Sequence, residues 1–379
     1  MFLALFLWIF YYLIEIEVLS LYMFVFSLYN GYNLDVPPSI KYERIVTIAM
    51  KKIINNPDQI VDEMLDGLVF AYDSLVERIP ETMVIHRKAE QKNKVGLVSG
   101  GGSGHEPSHA GFVGKGMLSA AVAGQVFTSP TPDQVFEGIK ASDEGAGVFL
   151  IIKNYTGDVM NFEMAQDLAD LEDIKVDTII VDDDIAVEDS TYTAGKRGVA
   201  GTVLVHKIIG AAAEEGQSLE EIKELADRLV PNIKTIGVAL GPATNPEVGS
   251  PGFELEEDEI EYGVGIHGEP GYRREKLKPS KELATELVEQ LKKAYDWNEG
   301  DEYAVLVNGM GATPLMEQFV FMNDVKKLLV DEEGLNLSFK KVGDYMTSID
   351  MEGLSLTLVK LEDKKWLDYL NAPVETISW

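Results

Sequence analysis

Five histidines occur among the 379 residues. One of them, His267, stands inside Gly265-Ile266-His267-Gly268-Glu269-Pro270-Gly271. An imidazole is both a nucleophile and a proton carrier near neutral pH. Flanking glycines allow turns closed to other residues and bring the backbone close to a ligand. The spacing predicts a histidine held on an open loop rather than packed in a core. Read alone, the heptapeptide also fits a tight surface turn with an incidental histidine.

Two further stretches carry reactive groups. In Ser99–Gly111, "SGGGSGHEPSHAG", glycines at 100, 101, 102 and 104 are expected to free backbone N–H groups for a small polar ligand, in a loop resembling a phosphate cradle. The stretch is not a Walker loop, having no G-K-[ST], and the dinucleotide fingerprint fails where Pro107 replaces the last glycine. "TAGKRG" (193–198) fails the Walker pattern too, so no nucleotide site is expected. His105 and His109 have metal-ligand spacing only on a helix, and Pro107 between them argues against zinc. His109 reads as a supporting or helix-start residue. In "KNYTGD" (153–158), Lys153 and Asp158 are expected on a glycine turn before a helix. Such a pair in isolation is a solvated ion pair of little worth. The run Asp182-Asp183-Asp184 reads as an acidic strand end rather than a metal site, and His86 and His206 read as structural.

What must position these groups is a set of short apolar runs alternating with amphipathic stretches. "KVGLVS" (94–99), "GVFLIIK" (147–153) and "VDTIIVDDD" (176–184) read as buried strands, apolar on both faces as in a parallel sheet covered by helices. Ligands bind beyond the carboxyl ends of such strands. Gly102, His105, Lys153 and Asp158 would all lie there, on strands that could be neighbours. "GVAGTVLVHKIIGAAAEEG" (198–216) reads as a small-residue helix, and Ser218 with Glu221 as a capping box opening the next one. After Pro231, "IKTIGVAL" (233–240) opens a second sheet. Leu283, Leu287, Val288 and Leu291 mark one helix face. "EYAVLVNGMGATP" (302–314) reads as a strand, a glycine turn, then Thr313 as N-cap and Pro314 as first helical residue. The fold class is α/β, with two α/β domains of mainly parallel or mixed sheet flanked by helices: 50–232 with the Gly-rich loop, Lys153 and Asp158, and 233–379 with His267.

Composition narrows the function classes. The 33 Lys+Arg against 63 Asp+Glu give a formal charge of −30, which repels nucleic acid and anionic membranes. With no cysteine there is no disulfide, thiolate nucleophile or Cys-based metal site, in keeping with a cytoplasmic protein. Residues 1–49 are nearly continuous Phe, Leu, Ile, Tyr and Val, with Glu15 and Glu17 inside the run and no basic leader. They are expected to be a mis-called start upstream of Met50, with a membrane anchor as the alternative.

Taken together, "SGGGSGHEPSHAG", "FTSPTPDQ", "IIKNYTGDVMNFEMA", "VDDDIAVEDS", "GKRGVAGTVLVHKI", "GIHGEPG" and "VNGMGATPLMEQ" resemble, in order, the dihydroxyacetone-binding subunits of the dihydroxyacetone kinase family. The resemblance runs from Met50 to the C-terminus. It implies that His267 bonds covalently through a ring nitrogen to the substrate's carbonyl carbon, giving a hemiaminal. It implies that His105 (proton acceptor) and Asp158 (base) hydrogen-bond the substrate hydroxyls, and that Gly102, Ser103, Gly104 and Lys153 hold the substrate. Only a carbonyl compound can form the bond, so glycerol would be excluded. The chain ends at Trp379, which matches family members that bind no cofactor themselves. Those take phosphate from a separate L subunit carrying ADP, with Mg expected there, recharged by a phosphoenolpyruvate-dependent phosphotransferase M subunit. A homodimer is implied as well. Some relatives are instead non-catalytic dihydroxyacetone sensors that co-activate a transcription regulator. A sensor has no need of a base, so His105, Lys153 and Asp158 beside His267 favour the enzyme.

Overall fold

The protein is described from a computed structural model, over residues 51–188 and 193–379. The apolar stretch 1–49, and with it the expectation of a mis-called start or an anchor, lies outside the described residues. In the first sheet, β1 (Val76–Arg78), β2 (Val84–Arg87), β3 (Gly96–Ser103), β4 (Ala120–Val126), β5 (Val148–Lys153) and β6 (Val176–Val181) are ordered β1-β2-β4-β3-β5-β6. β4, β3, β5 and β6 are parallel, and β1 and β2 add an antiparallel edge. The sequence runs explain why this core is parallel. Val148, Leu150 and Ile152 face the helices Pro132–Ser142 and Thr156–Leu171, whereas Phe149 and Ile151 face the opposite layer. Both faces are dry, so both must be apolar.

The second sheet is mixed and mostly antiparallel. β7 (Ile233–Ala239), β8 (Glu259–Tyr262), β9 (Arg273–Lys276), β10 (Glu302–Gly309), β11 (Asn336–Gly343) and β12 (Gly353–Lys360) are ordered β11-β10-β12-β7-β8-β9, and only β10 and β11 run parallel. Leu283, Leu287, Val288 and Leu291 of the helix Ser280–Ala294 pack on this sheet as one apolar face. The helix Gly201–Glu214 lies in the layer shared by both sheets and is buried from Gly201 to Ala213. Its run of small and aliphatic residues follows from that position, since a helix with no wet face has no polar stripe. Gly210 lets it approach Gly116, whose carbonyl lies 2.4 Å from where a Cβ would stand.

Several boundaries differ from the sequence reading. β3 begins at Gly96 and runs on through the glycines to Ser103. β6 stops at Val181, before the acidic run. The Ser218/Glu221 capping box is present. Thr313 is not an N-cap: Pro314 takes that place before the helix Leu315–Lys326, while Thr313 Oγ1 donates to the Gly353 carbonyl and accepts its N–H. The two sheets fall on either side of residue 232, yet Met50–Trp379 packs as one unit. No described helix is long and apolar enough to cross a membrane.

Candidate active site

The glycines of "SGGGSG" do not form the expected anion cradle. Gly100, Gly101 and Gly102 are strand residues paired with β4, and each lacks a Cβ because a neighbour occupies its place. A Cβ would lie 2.4 Å from the Val122 carbonyl at Gly100, 2.3 Å from Lys153 Nζ at Gly101 and 2.6 Å from Thr128 N at Gly102. Gly104, with φ +104°, ends the strand, and its N–H donates to the Glu106 carboxylate at 3.1 Å. Ser103 Oγ donates to the Gly124 carbonyl. The missing side chains thus leave room for Lys153 and the 127–128 backbone.

β5 lies beside β3 in parallel register, so Lys153 at its end reaches the same sheet edge as His105. Neither Lys153 nor Asp158 sits on an open turn: Lys153 is the last residue of β5, and Asp158 is in the first turn of the helix Thr156–Leu171. Their side chains are 1% and 5% exposed, with Nζ 3.5 Å from Oδ2. Burial lowers the Lys153 pKa while Asp158 draws it back up. The ammonium's other bonds go to the Gly100 carbonyl and His109 Nε2, each at 3.0 Å. Asp158 Oδ1 is buried without a partner. An anion at a helix N-terminus is stabilised by the backbone dipoles, but a dry carboxylate oxygen still calls for a donor.

His267 lies between β8 and β9, and its side chain is 15% exposed. It is not on an open loop. Tyr155, His105 and Phe127 stand edge-on to its ring at centroid distances of 4.6, 4.8 and 5.1 Å. Buried Glu269 accepts from His267 Nδ1 at 3.0 Å with Oε1 and from the His267 backbone N–H at 2.9 Å with Oε2. Burial pushes the Glu269 carboxyl up, but His267 and then Arg197 pull it down to about 2. Gly265 makes room for this arrangement, since a Cβ there would lie 2.1 Å from Glu269 Oε2 and 2.8 Å from Arg197 Nη1.

The two histidines meet. His105 Nε2 and His267 Nε2 are 3.1 Å apart, and hydrogen-bond inventory places a hydrogen on each Nδ1. His105 Nδ1 contacts the Thr347 carbonyl at 2.8 Å, which only accepts, so Nδ1 carries hydrogen. His267 Nδ1 faces a carboxylate and must carry hydrogen as well. With hydrogen on both Nδ1 atoms, the two Nε2 atoms at 3.1 Å are placed so that a proton can pass between them. Burial, then His267, then Lys153 lower the His105 pKa far below its ordinary value. A cavity of about 490 Å³ opens on this group, with Gly102, Phe127, Tyr155, Asp158 and His267 in its walls.

Gly102, Asp158 and His267 thus line one cavity, with His105 in contact with His267. Lys153 stands behind Asp158, and neither Ser103 nor Gly104 forms part of the cavity wall. His109 and His206 lie deeper, joined to each other through Nδ1 and Nε2 at 2.9 Å. The acidic run is structural: Asp183 accepts from the N–H groups of Val199 and Gly201 and from Thr235 Oγ1, and Asp184 binds Arg197. No group of metal-ligating side chains occurs among the described residues. Sequence reasoning missed Glu269 and Tyr155, whose hydroxyl is buried without a partner. Glu269 was visible as an acid two residues from His267. Nothing local marked Tyr155.

Residues 66–378 match the Dak1 domain. The chain belongs to the Dak1 domain family. It is 68% identical over 329 residues to the PTS-dependent dihydroxyacetone kinase, dihydroxyacetone-binding subunit DhaK, of Lactococcus lactis, a match covering 87% of this chain and 99% of that relative. It is also 46% identical over 330 residues to the DhaKLM operon coactivator DhaQ of the same organism, covering 86% of this chain and 100% of the relative. Among solved structures, the dihydroxyacetone kinase of C. freundii superposes with a TM-score of 0.78 at 35% identity, over 87% of this chain and 60% of that one. The fold is therefore that of a dihydroxyacetone kinase family, a family of phosphotransferases.

Proposed function

We propose that this chain is the dihydroxyacetone-binding subunit of a phosphoenolpyruvate-dependent dihydroxyacetone kinase, and that it traps the ketone on His267 Nε2. The observation that carries the reading is the 3.1 Å approach of two facing Nε2 atoms beside a partnerless Asp158 oxygen. Glu269 occupies Nδ1, so Nε2 is the nitrogen left to attack. The ketone enters between the two rings, which part to admit it. In the reacting state His105 Nε2 carries a proton, and the lone pair on His267 Nε2 bonds to the carbonyl carbon. His105 then gives its Nε2 proton to the carbonyl oxygen, which becomes the hemiaminal hydroxyl. His267 becomes an alkylated imidazolium with Nδ1–H still on Glu269, and no proton is gained or lost overall. Fixing both partners converts a weak association in water into a favourable intramolecular one.

Asp158 Oδ1 accepts the hydrogen of the terminal hydroxyl and takes its proton as phosphate arrives. The relative at 68% identity is named as a PTS-dependent subunit, which supports a phosphoryl donor on a separate, ADP-bearing L subunit, with a phosphotransferase M subunit behind it. We extend the same reading to a homodimer and a cytoplasmic location. The experiment is twofold. Crystals soaked with dihydroxyacetone should show continuous density from His267 Nε2 to the carbonyl carbon at about 1.5 Å, an ordinary C–N single bond. The protein with a phosphorylated, ADP-loaded partner should yield dihydroxyacetone phosphate. A ligand at van der Waals distance would end the covalent reading. An adduct without any transfer would favour the sensor role that the 46%-identical coactivator suggests.

A further inference from the structure

Lys153 sits in a cage of acceptors that local sequence does not foreshadow. Its ammonium has three hydrogens, and the structure offers them three acceptors: the Gly100 carbonyl, His109 Nε2 and Asp158 Oδ2. Because Lys153 only donates, His109 must present a lone pair at Nε2 and carry its hydrogen on Nδ1. That hydrogen points at His206 Nε2, 2.9 Å away. His206 must then be the Nδ1–H tautomer, and its Nδ1 ends the chain, buried without a partner. Both imidazoles are buried and edge-on at 5.2 Å. Burial and the charge of Lys153 hold both neutral, His206 at about 3.

We infer that His109 and His206 are positioning residues for phosphoryl transfer: a pair of neutral imidazoles that aims Lys153 Nζ at Asp158 Oδ2 and so leaves Oδ1 directed into the cavity. Two buried histidines are a costly way to fill space, because a buried polar atom is tolerated only when it is hydrogen-bonded. Here one tautomer chain satisfies all but the last nitrogen, and the group it serves is the ammonium behind the base. Without the acceptor at Nε2, a dry ammonium hydrogen is unmet. Nζ then shifts, and Asp158 is free to turn about its terminal torsion. The inference rests on Asp158 receiving the substrate's proton.

The test uses the full chain with its ADP-loaded donor, reading kcat and KM for dihydroxyacetone. In His109→Gln the amide oxygen falls near the place of Nε2 and accepts from Lys153. In His109→Asn the amide reaches only as far as Nδ1, so it can serve His206 but not Lys153. A lost hydrogen bond to a charged group predicts kcat lower by about ten- to a hundredfold in His109→Asn, with KM little changed and His109→Gln keeping most of the rate. Should His109→Asn fail to fold, His206→Gln against His206→Leu reads the same chain one link on, with Leu the impaired member. Equal rates within a pair, or a loss confined to KM, would overturn the inference. A native chain that makes no sugar phosphate would instead sink the kinase reading itself.

Discussion

Replacing Glu269 by Gln removes a charge with little change of shape, and the structure says how much should follow. The two carboxylate oxygens take two donors, His267 Nδ1–H and the His267 backbone N–H. A Gln side chain has a single acceptor oxygen, so its NH₂ must face one of these donors. If the oxygen serves the backbone, the NH₂ faces Nδ1 and fixes the tautomer with hydrogen on Nε2, which removes the nucleophilic lone pair. The carboxyl is held at about 2 against an ordinary 4.5, a preference for the anion worth about 3 kcal/mol at roughly 1.4 kcal/mol per decade. Arg197 accounts for part of that. The remainder predicts that Glu269→Gln binds dihydroxyacetone about ten- to a hundredfold more weakly at pH 7.5. Calorimetric titration measures it, with glycerol, which has no carbonyl, as the control whose weak binding should not change. Dihydroxyacetone affinity within about twofold of the native value would refute the tautomer argument.

The same geometry predicts other outcomes. Asp158→Asn should still trap the ketone, seen in a soaked crystal, while transfer from the donor subunit falls about 10²- to 10⁴-fold, the range for loss of a general base. Gly265→Ala would drive a Cβ to 2.1 Å from Glu269 Oε2, so both thermal stability, by about 1–3 kcal/mol, and ketone affinity should drop together. The depressed Glu269 carboxyl contributes stability that is complete above its unfolded pKa of 4.5 and is lost as pH falls toward about 2. Denaturation curves should therefore show the native protein's advantage over Glu269→Gln shrinking across that window and holding steady above it.

The strand runs and the chemistry at their ends were legible in the residues alone. Val148–Lys153 had to be dry on both faces because its apolar residues do not alternate with polar ones, and ligands gather where such strands end. Leu283, Leu287, Val288 and Leu291 marked a helix face by spacing alone. Seven motifs in order were specific enough to bring His105, Asp158 and His267 to one site. How each group is held there depends on neighbours that packing supplies. His105 and His267 are separated by 162 residues, and nothing local states that their Nε2 atoms face each other at 3.1 Å. The glycines looked like a cradle because sequence shows a missing side chain but not the neighbour filling its space, here Lys153 at Gly101 and Glu269 at Gly265. Lys153 and Asp158 could be placed at the strand ends from sequence, but not in a dry interior, because burial is a property of the packed whole. Periodicity records which residues are buried, whereas hydrogen-bond partners, and hence protonation, are set by atoms that only folding brings within 3 Å of each other.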